Sequence, residues 1–130
     1  MPKIAWIEDD YDEISSLVRL LELDNYEIPR FRTRPDVDNS IKEILSCDAI
    51  ILDIILPPIN EEDPYQGLSI LKMLREQYTY EKPVVVCTVV RAPGIMDKLR
   101  RLGVLEENIL HKPVRPSVLT ATVKKTLGHE

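Results

Sequence analysis

Four groups of residues in this chain could do chemistry: Glu8-Asp9-Asp10, Asp53, Thr88 and Lys112. Carboxylates brought close together repel, and their pKa values rise unless cations compensate. A hard divalent cation suits such a cluster, and Mg²⁺ typically takes one or two carboxylates, waters and a phosphate. A carboxylate can also be a nucleophile toward phosphorus, giving an aspartyl phosphate. That transfer needs positioning and electrostatic stabilisation, which a hydroxyl and an ammonium group supply. Each residue alone has an ordinary reading. Asp53 could cap a strand and meet water, Glu8 could be a solvated loop charge, Thr88 a strand former and Lys112 a surface lysine. Asp10 is read as a solvated charge.

The elements decide whether these residues meet. Ala49 to Leu52 is an uninterrupted apolar run, as expected of a strand buried on both faces at the centre of a parallel sheet. Asp53 stands at its end, and Pro57 stops the ladder from continuing. Ligands of open α/β sheets bind outside the carboxyl ends of the strands. Lys3 to Ile7 reads as a first strand ending in Glu8. From Asp12 the period changes, and Ile14, Leu17, Val18 and Leu21 fall on one helical face, with Asp12 and Glu13 suited to its first turn.

Tyr26 to Arg32 is a weaker strand, which Pro29 confines to an edge. Arg30, Arg32 and Arg34 alternate along one side. A charged edge that blunts aggregation is preferred over a contact for an anionic partner. Pro35 and Asp36 open a second helix carrying Val37, Ile41, Ile44 and Leu45. A polar, Pro-rich loop from Pro58 to Gly67 leads to a third helix over Leu68 to Gln77, with Leu68, Leu71 and Leu74 buried. Pro83 to Val90 is a fourth strand with Thr88 near its end. Arg91 to Gly94 is a turn, and Ile95, Leu99 and Leu102 mark a fourth helix closed by Gly103. Asn108 to His111 is a short fifth strand, followed by Lys112-Pro113. Pro116 starts the last helix, with Val118, Leu119, Thr122, Val123 and Leu127.

Five β-α repeats imply an α/β fold: a doubly wound, five-stranded parallel sheet with helices on both faces. The order 2-1-3-4-5 puts the Pro29 strand at an edge and strands 1, 3 and 4 inside. All four polar groups then share one edge of the sheet. The reading is of one domain over residues 1–127, with 128–130 a tail.

Composition bounds the function. A net charge of −5 argues against direct nucleic-acid binding. No apolar run approaches the roughly 20 residues that span a bilayer. No signal peptide is read at the start. Cys47 and Cys87 lie in apolar surroundings and read as reduced core residues, so the expected location is cytoplasmic.

The motifs Glu8-Asp9, Asp53-x-x-x-Pro57, Thr88 and Lys112-Pro113, in this order and each at a strand end, resemble a two-component response-regulator receiver domain. The resemblance covers essentially the whole chain and implies the flavodoxin-like fold of chemotaxis regulators. It implies that Asp53 accepts a phosphoryl group from a phosphohistidine. It implies that Glu8, Asp9, Asp53 and the backbone carbonyl of Ile55 hold Mg²⁺, that Thr88 and Lys112 each contact a phosphoryl oxygen, and that the Lys112-Pro113 bond is cis.

The chain departs from that pattern in places. The loop from Asp53 to Gly67 is long and carries Glu61, Glu62 and Asp63 beside the site. Val89 follows the threonine where a small residue is usual, and Ile109 replaces the aromatic three residues before the lysine. The residues two after the acceptor and two after the threonine, Ile55 and Val90, would flank the path of an attacking water. Both are apolar, so a long-lived phosphoryl group is expected, unless Asn60 or Gln66 orients the water.

The implied partners are a sensor histidine kinase or histidine phosphotransfer protein and a downstream protein or output domain, with a homodimer also open. His111 and His129 are not read as phosphodonors. Two other readings remain: a binding module of the same fold that does not use phosphorylation, and a Mg²⁺-dependent phosphatase with an aspartyl-phosphate intermediate. Haloacid-dehalogenase-like phosphatases carry a second Asp two residues after the nucleophile, where this chain has Ile55.

Overall fold

The computed structural model describes residues 1–58 and 61–129. Five parallel strands form one sheet in the order β2-β1-β3-β4-β5, with β1 Ile4–Ile7, β2 Arg30–Phe31, β3 Ala49–Leu52, β4 Val84–Thr88 and β5 Ile109–His111. The helices are α1 Arg19–Leu23, α2 Arg34–Asp38, α3 Ile41–Leu45, α4 Gln66–Glu76, α5 Pro93–Arg101 and α6 Pro116–Leu127. Short 3₁₀ turns at Ser15–Val18 and Glu106–Asn108 lead into α1 and β5.

Strands β1, β3 and β4 are buried along their whole length. Side chains alternate across a strand, so each strand feeds two cores. Ala5, Ile7, Ile50, Leu52, Val84 and Val86 meet Val37, Ile44, Ile70, Leu71, Ile95 and Leu99, which places α2 to α5 on one face. Ile4, Trp6, Ala49, Ile51, Val85 and Cys87 meet Leu17, Val18, Leu21, Leu119 and Val123, which places α1 and α6 on the other. Each buried aliphatic side chain contributes about 1.5–3 kcal/mol, so both cores depend on the register. That register sets Ile7 against Leu52 and Thr88 against His111.

The expected topology is present, with local differences. The first helix does not begin at Asp12. Residues 9–14 are loop, and helical structure starts at Ser15 as 3₁₀ with no acidic residue in its first turn. The second strand is two residues long, extended by a single bridge between Lys3 and Glu27. The second helix breaks at Asn39-Ser40 into α2 and α3. A Thr33 capping box starts α2, with Asp36 returning a bond to the Thr33 backbone. Strand β4 ends at Thr88, so Val89 and Val90 lie beyond it. Leu68 is only half-buried.

The end of the chain is tied down more than expected of a tail. Gly128, at φ 74°, caps α6, and His129 Nδ1 is 2.8 Å from the Tyr26 hydroxyl. Cys47 and Cys87 are buried free thiols, as expected, and burial pushes both thiol pKa values up. Among the described residues, no helix is long and apolar enough to cross a membrane.

Candidate functional site

The chain adds β2 on one side of β1 and β3 on the other, and the tips of β1 and β3 carry Glu8 and Asp53 side by side. The Asp53 amide donates to the Ile7 carbonyl at 2.9 Å, and the Glu8 amide to the Phe31 carbonyl at 3.0 Å. Ladder bonds therefore fix both carboxylates just past the last strand residue. Glu8 is 1% exposed and Asp53 6%.

Lys112 reaches them from the far side of β4. Its amide donates to the Thr88 carbonyl at 2.9 Å, which prolongs the β4–β5 ladder by one residue. Its Nζ lies 2.6 Å from Glu8 Oε1 and 3.0 Å from Asp53 Oδ2. The Lys112-Pro113 bond is cis, as is Pro57-Pro58. Thr88 is fully buried, and its Oγ1 accepts from the Val90 amide at 3.2 Å. That leaves its hydroxyl hydrogen available for another acceptor.

The electrostatics follow from burial. Desolvation, with the Asp53 charge adding to it, pushes Glu8 up from 4.5 to about 8, against the pull of Lys112. Burial opposes the Lys112 charge, but its hydrogen bonds to Glu8 and Asp53 win and push it up to about 12. One ammonium thus serves two buried carboxylates, and the cluster lacks positive charge.

Asp9 completes the set. It is exposed, and Glu8, Asp9 and Asp53 each offer a carboxylate oxygen within 4.8 Å of one another. Three carboxylates and one ammonium leave a formal charge of −2, which a divalent cation would neutralise. Octahedral Mg²⁺ holds oxygens at about 2.0–2.1 Å, so its ligands stand at most roughly 4.2 Å apart. A slight contraction would fit these three to it. The donors are all hard oxygens, as Mg²⁺ requires.

One residue in this site was missed by the sequence reading, where it serves only as the end of the loop. Gly67 sits in the first turn of α4, and its amide donates to the Ile54 carbonyl at 2.9 Å. A Cβ there would lie 2.0 Å from the Asp53 carbonyl oxygen and 2.7 Å from Ile54 Cα. The helix packs directly on the Asp53–Ile54 backbone because residue 67 has no side chain. A glycine early in a helical pattern was the available signal.

The described part of the long loop leans on α4 and α5. Asp63 Oδ2 accepts from Ser69 Oγ at 2.6 Å, and Glu62 and Asp63 line a groove of about 630 Å³ with Leu68, Lys72, Ile95 and Lys98. Gln66 is 8% exposed and spends its amide on the Asp63 carbonyl and Arg34. Asn60 lies outside the described residues. Ile55 is half-buried and Val90 is 8% exposed. Val89 is 60% exposed and borders Lys112 in an apolar hollow of about 450 Å³ with Ile14, Leu17, Pro113 and Val114. His111 Nδ1 is buried with no hydrogen-bond partner among the described residues.

Comparison with known proteins shows the family and the fold. The family model described as the response regulator receiver domain matches residues 4–124. The chain is 34% identical to the regulatory protein VanR of Enterococcus faecium, across 93% of this chain and 48% of that protein. It is 28% identical to the transcriptional regulatory protein PrrA of Mycobacterium leprae (strain TN), across 97% of this chain and 50% of that protein. The chain therefore spans about half the length of the curated relatives it matches. Among solved structures, a CheY-like response regulator receiver domain protein from Methanospirillum hungatei JF-1 matches with a TM-score of 0.80 at 20% identity, covering 98% of this chain and 94% of that one. The non-phosphorylated HemR receiver domain from Leptospira biflexa matches with a TM-score of 0.80 at 21% identity, with the same coverage. These two likenesses speak to the fold.

Proposed function

The chain belongs to the response regulator receiver domain family, and from that premise we propose that Asp53 is its phosphoacceptor. The observation that carries the reading is the meeting of Asp53, Glu8 and Lys112 within hydrogen-bonding distance at the strand tips. A sensor histidine kinase or histidine phosphotransfer protein would present a phosphohistidine. A carboxylate oxygen of Asp53 attacks phosphorus, the P–N bond breaks, and its electron pair stays on the imidazole. The product is an acyl phosphate on Asp53.

Lys112 pairs with one phosphoryl oxygen, and the Thr88 hydroxyl donates to another. Glu8, Asp9, Asp53 and the Ile55 carbonyl would hold Mg²⁺, which when bound offsets the charge that builds on the transferred group. The apolar hollow beside Lys112 supports a donor helix docking there, since Ile14, Leu17 and Val114 offer it a dry contact next to the acceptor. The signal would pass to a downstream protein, or to an output domain such as the remaining half of the relatives. We place this chemistry in the cytoplasm, where the two thiols stay reduced.

Exposed Val89 and ring-less Ile109 favour a second reading, a binding module of the same fold that does not use phosphorylation. Incubation with a small acyl phosphate and Mg²⁺, followed by intact mass, separates the two. A single phosphoryl adduct that Asp53→Asn abolishes supports the phosphoacceptor. An unmodified wild-type chain, with phosphohistidine donors also tried, supports the binding module.

A further inference from the structure

We propose that Arg30 and Arg32, on and beside the edge strand, are positioning residues for the metal: they grip the loop that presents Asp9. The inference rests on the Mg²⁺ reading above.

The loop needs a grip. Between Glu8 and Ile14, residues Asp9, Asp10, Asp12 and Glu13 are exposed, and only Tyr11 is half-buried. The backbone bonds of this segment are local: the Glu13 and Ile14 amides both donate to the Asp10 carbonyl, at 3.0 and 3.2 Å. The 3₁₀ turn that follows has no side-chain cap. The loop is therefore joined to the sheet mainly through side chains.

Those side chains form a stack. The Arg30 guanidinium lies 5.5 Å from the centre of the Tyr11 ring and 5.3 Å from that of Trp6. The Arg32 guanidinium lies 4.8 Å from the Tyr11 ring and pairs with Asp12. Trp6 and Tyr11 are themselves 5.9 Å apart, tilted at 47°. Trp6 is 1% exposed and in register with Arg30. The stack thus ties the loop to a buried residue of β1, between β2 and β3. Of the arginine stripe, Arg30 and Arg32 lean onto this loop, Arg30 also pairing with Glu22 at 3.5 Å and Arg32 keeping a partly exposed side chain at the sheet edge. Arg34, the third of the stripe, is taken up by Asp38 and Gln66.

Each cation–π contact of this kind is worth roughly a two- to fivefold factor. A ligand's apparent affinity falls with the fraction of protein that holds the competent conformation. Loss of both contacts should therefore weaken Mg²⁺ binding roughly five- to twentyfold. Simple electrostatics predicts the opposite sign, because removing a cation near an acidic cluster tightens binding of another cation.

The test is Mg²⁺ titration calorimetry on wild type, Arg30→Gln, Arg32→Gln and the double variant, with Tm recorded for each. The expected result is weaker binding, with Tyr11→Ala reproducing the loss and Tyr11→Phe losing less, because it keeps the ring and gives up only the hydroxyl that meets Arg32. Unchanged or tighter binding in the double variant overturns the proposal and leaves the metal site standing. No Mg²⁺ uptake by wild type overturns the metal reading and this inference together. In an Asp9→Ala background, which removes the ligand oxygen, Arg30→Gln should cost nothing further. An equal loss there would mean general destabilisation and also overturn the proposal. Arg30→Lys keeps the charge and loses the planar face. It should bind roughly two- to fivefold more weakly even if the double variant does not fold.

Discussion

Gly67 and Asp53 touch backbone to backbone: any Cβ on residue 67 would stand 2.0 Å from the Asp53 carbonyl oxygen. The neighbouring atoms belong to the main chain at the end of β3, which cannot move without moving Asp53. Gly67→Ala should therefore destabilise the fold by about 3 kcal/mol, the upper range for overpacking, and displace Asp53. Urea unfolding gives the first quantity and phosphoryl loading the second. A variant of wild-type stability would show that α4 can shift without cost.

Glu8 makes metal-free stability depend on pH. Its pKa is raised to about 8, by burial first and by the Asp53 charge second. A raised carboxylate binds its proton more tightly in the folded state, so this contribution is complete below the unfolded value near 4.5 and is lost as pH rises through about 8. Unfolding free energies at pH 5 and pH 8.5 should fall more steeply in wild type than in Glu8→Gln. Mg²⁺ competes with that proton, so its affinity should rise over the same window. Parallel pH profiles for the two proteins would contradict the assignment.

Asp53→Asn should fold and accept no phosphoryl group, because the swap keeps the shape and removes the nucleophilic oxygen. It also removes the charge that raises Glu8, at the cost of one contact to Lys112. Without metal, its stability at pH 8 should equal or exceed wild type by up to about 1 kcal/mol. A normal adduct on this variant, seen by intact mass, would place the acceptor elsewhere.

The phosphoryl group should be long-lived. Ile55 is half-buried and apolar, Val90 is 8% exposed, and Gln66 is already engaged by the Asp63 carbonyl and Arg34. None of them orients a water, and orientation is a large part of such a rate. Ile55→Asn should speed decay by roughly tenfold. Val90→Glu tests the second position, but it buries a charge and needs a stability control. Decay followed by mass after donor removal, in excess Mg²⁺, gives the rates. Equal rates in parent and Ile55→Asn would defeat the apolar-wall argument.

The response to phosphorylation should bypass β5. Thr88 can donate toward a phosphoryl oxygen, but Ile109 has no ring to rotate after it. The groove joins Glu62 to Tyr65 with Ile95 in the first turn of α5, which begins at Pro93, so the expected turn at Arg91 to Gly94 runs into the helix. Hydrogen exchange with and without beryllofluoride should change in residues 61–66 and 91–94. Changes confined to β5 and α6 would count against this route.

Much of this molecule was legible in the chain itself. Apolar runs at Ile4–Ile7, Ala49–Leu52 and Val84–Thr88 have no polar alternation, so they could only be buried on both faces, and Pro29 could only sit at an edge. Once the order followed, Glu8, Asp53, Thr88 and Lys112 had to converge, because strand tips at a sheet's switch point are neighbours whatever lies between them. Other features depended on partners remote in sequence. Period alone put the first helix at Asp12, but it starts at Ser15, after a loop whose Tyr11 ring is held by Arg30 and Arg32. The helix after β2 breaks at Asn39-Ser40 although its apolar spacing runs on. His129 looked like tail until it met Tyr26 across the fold. Gly67 shows the limit most clearly: a glycine's freedom can be read from sequence, but the atom it makes room for is known only when the chain has packed.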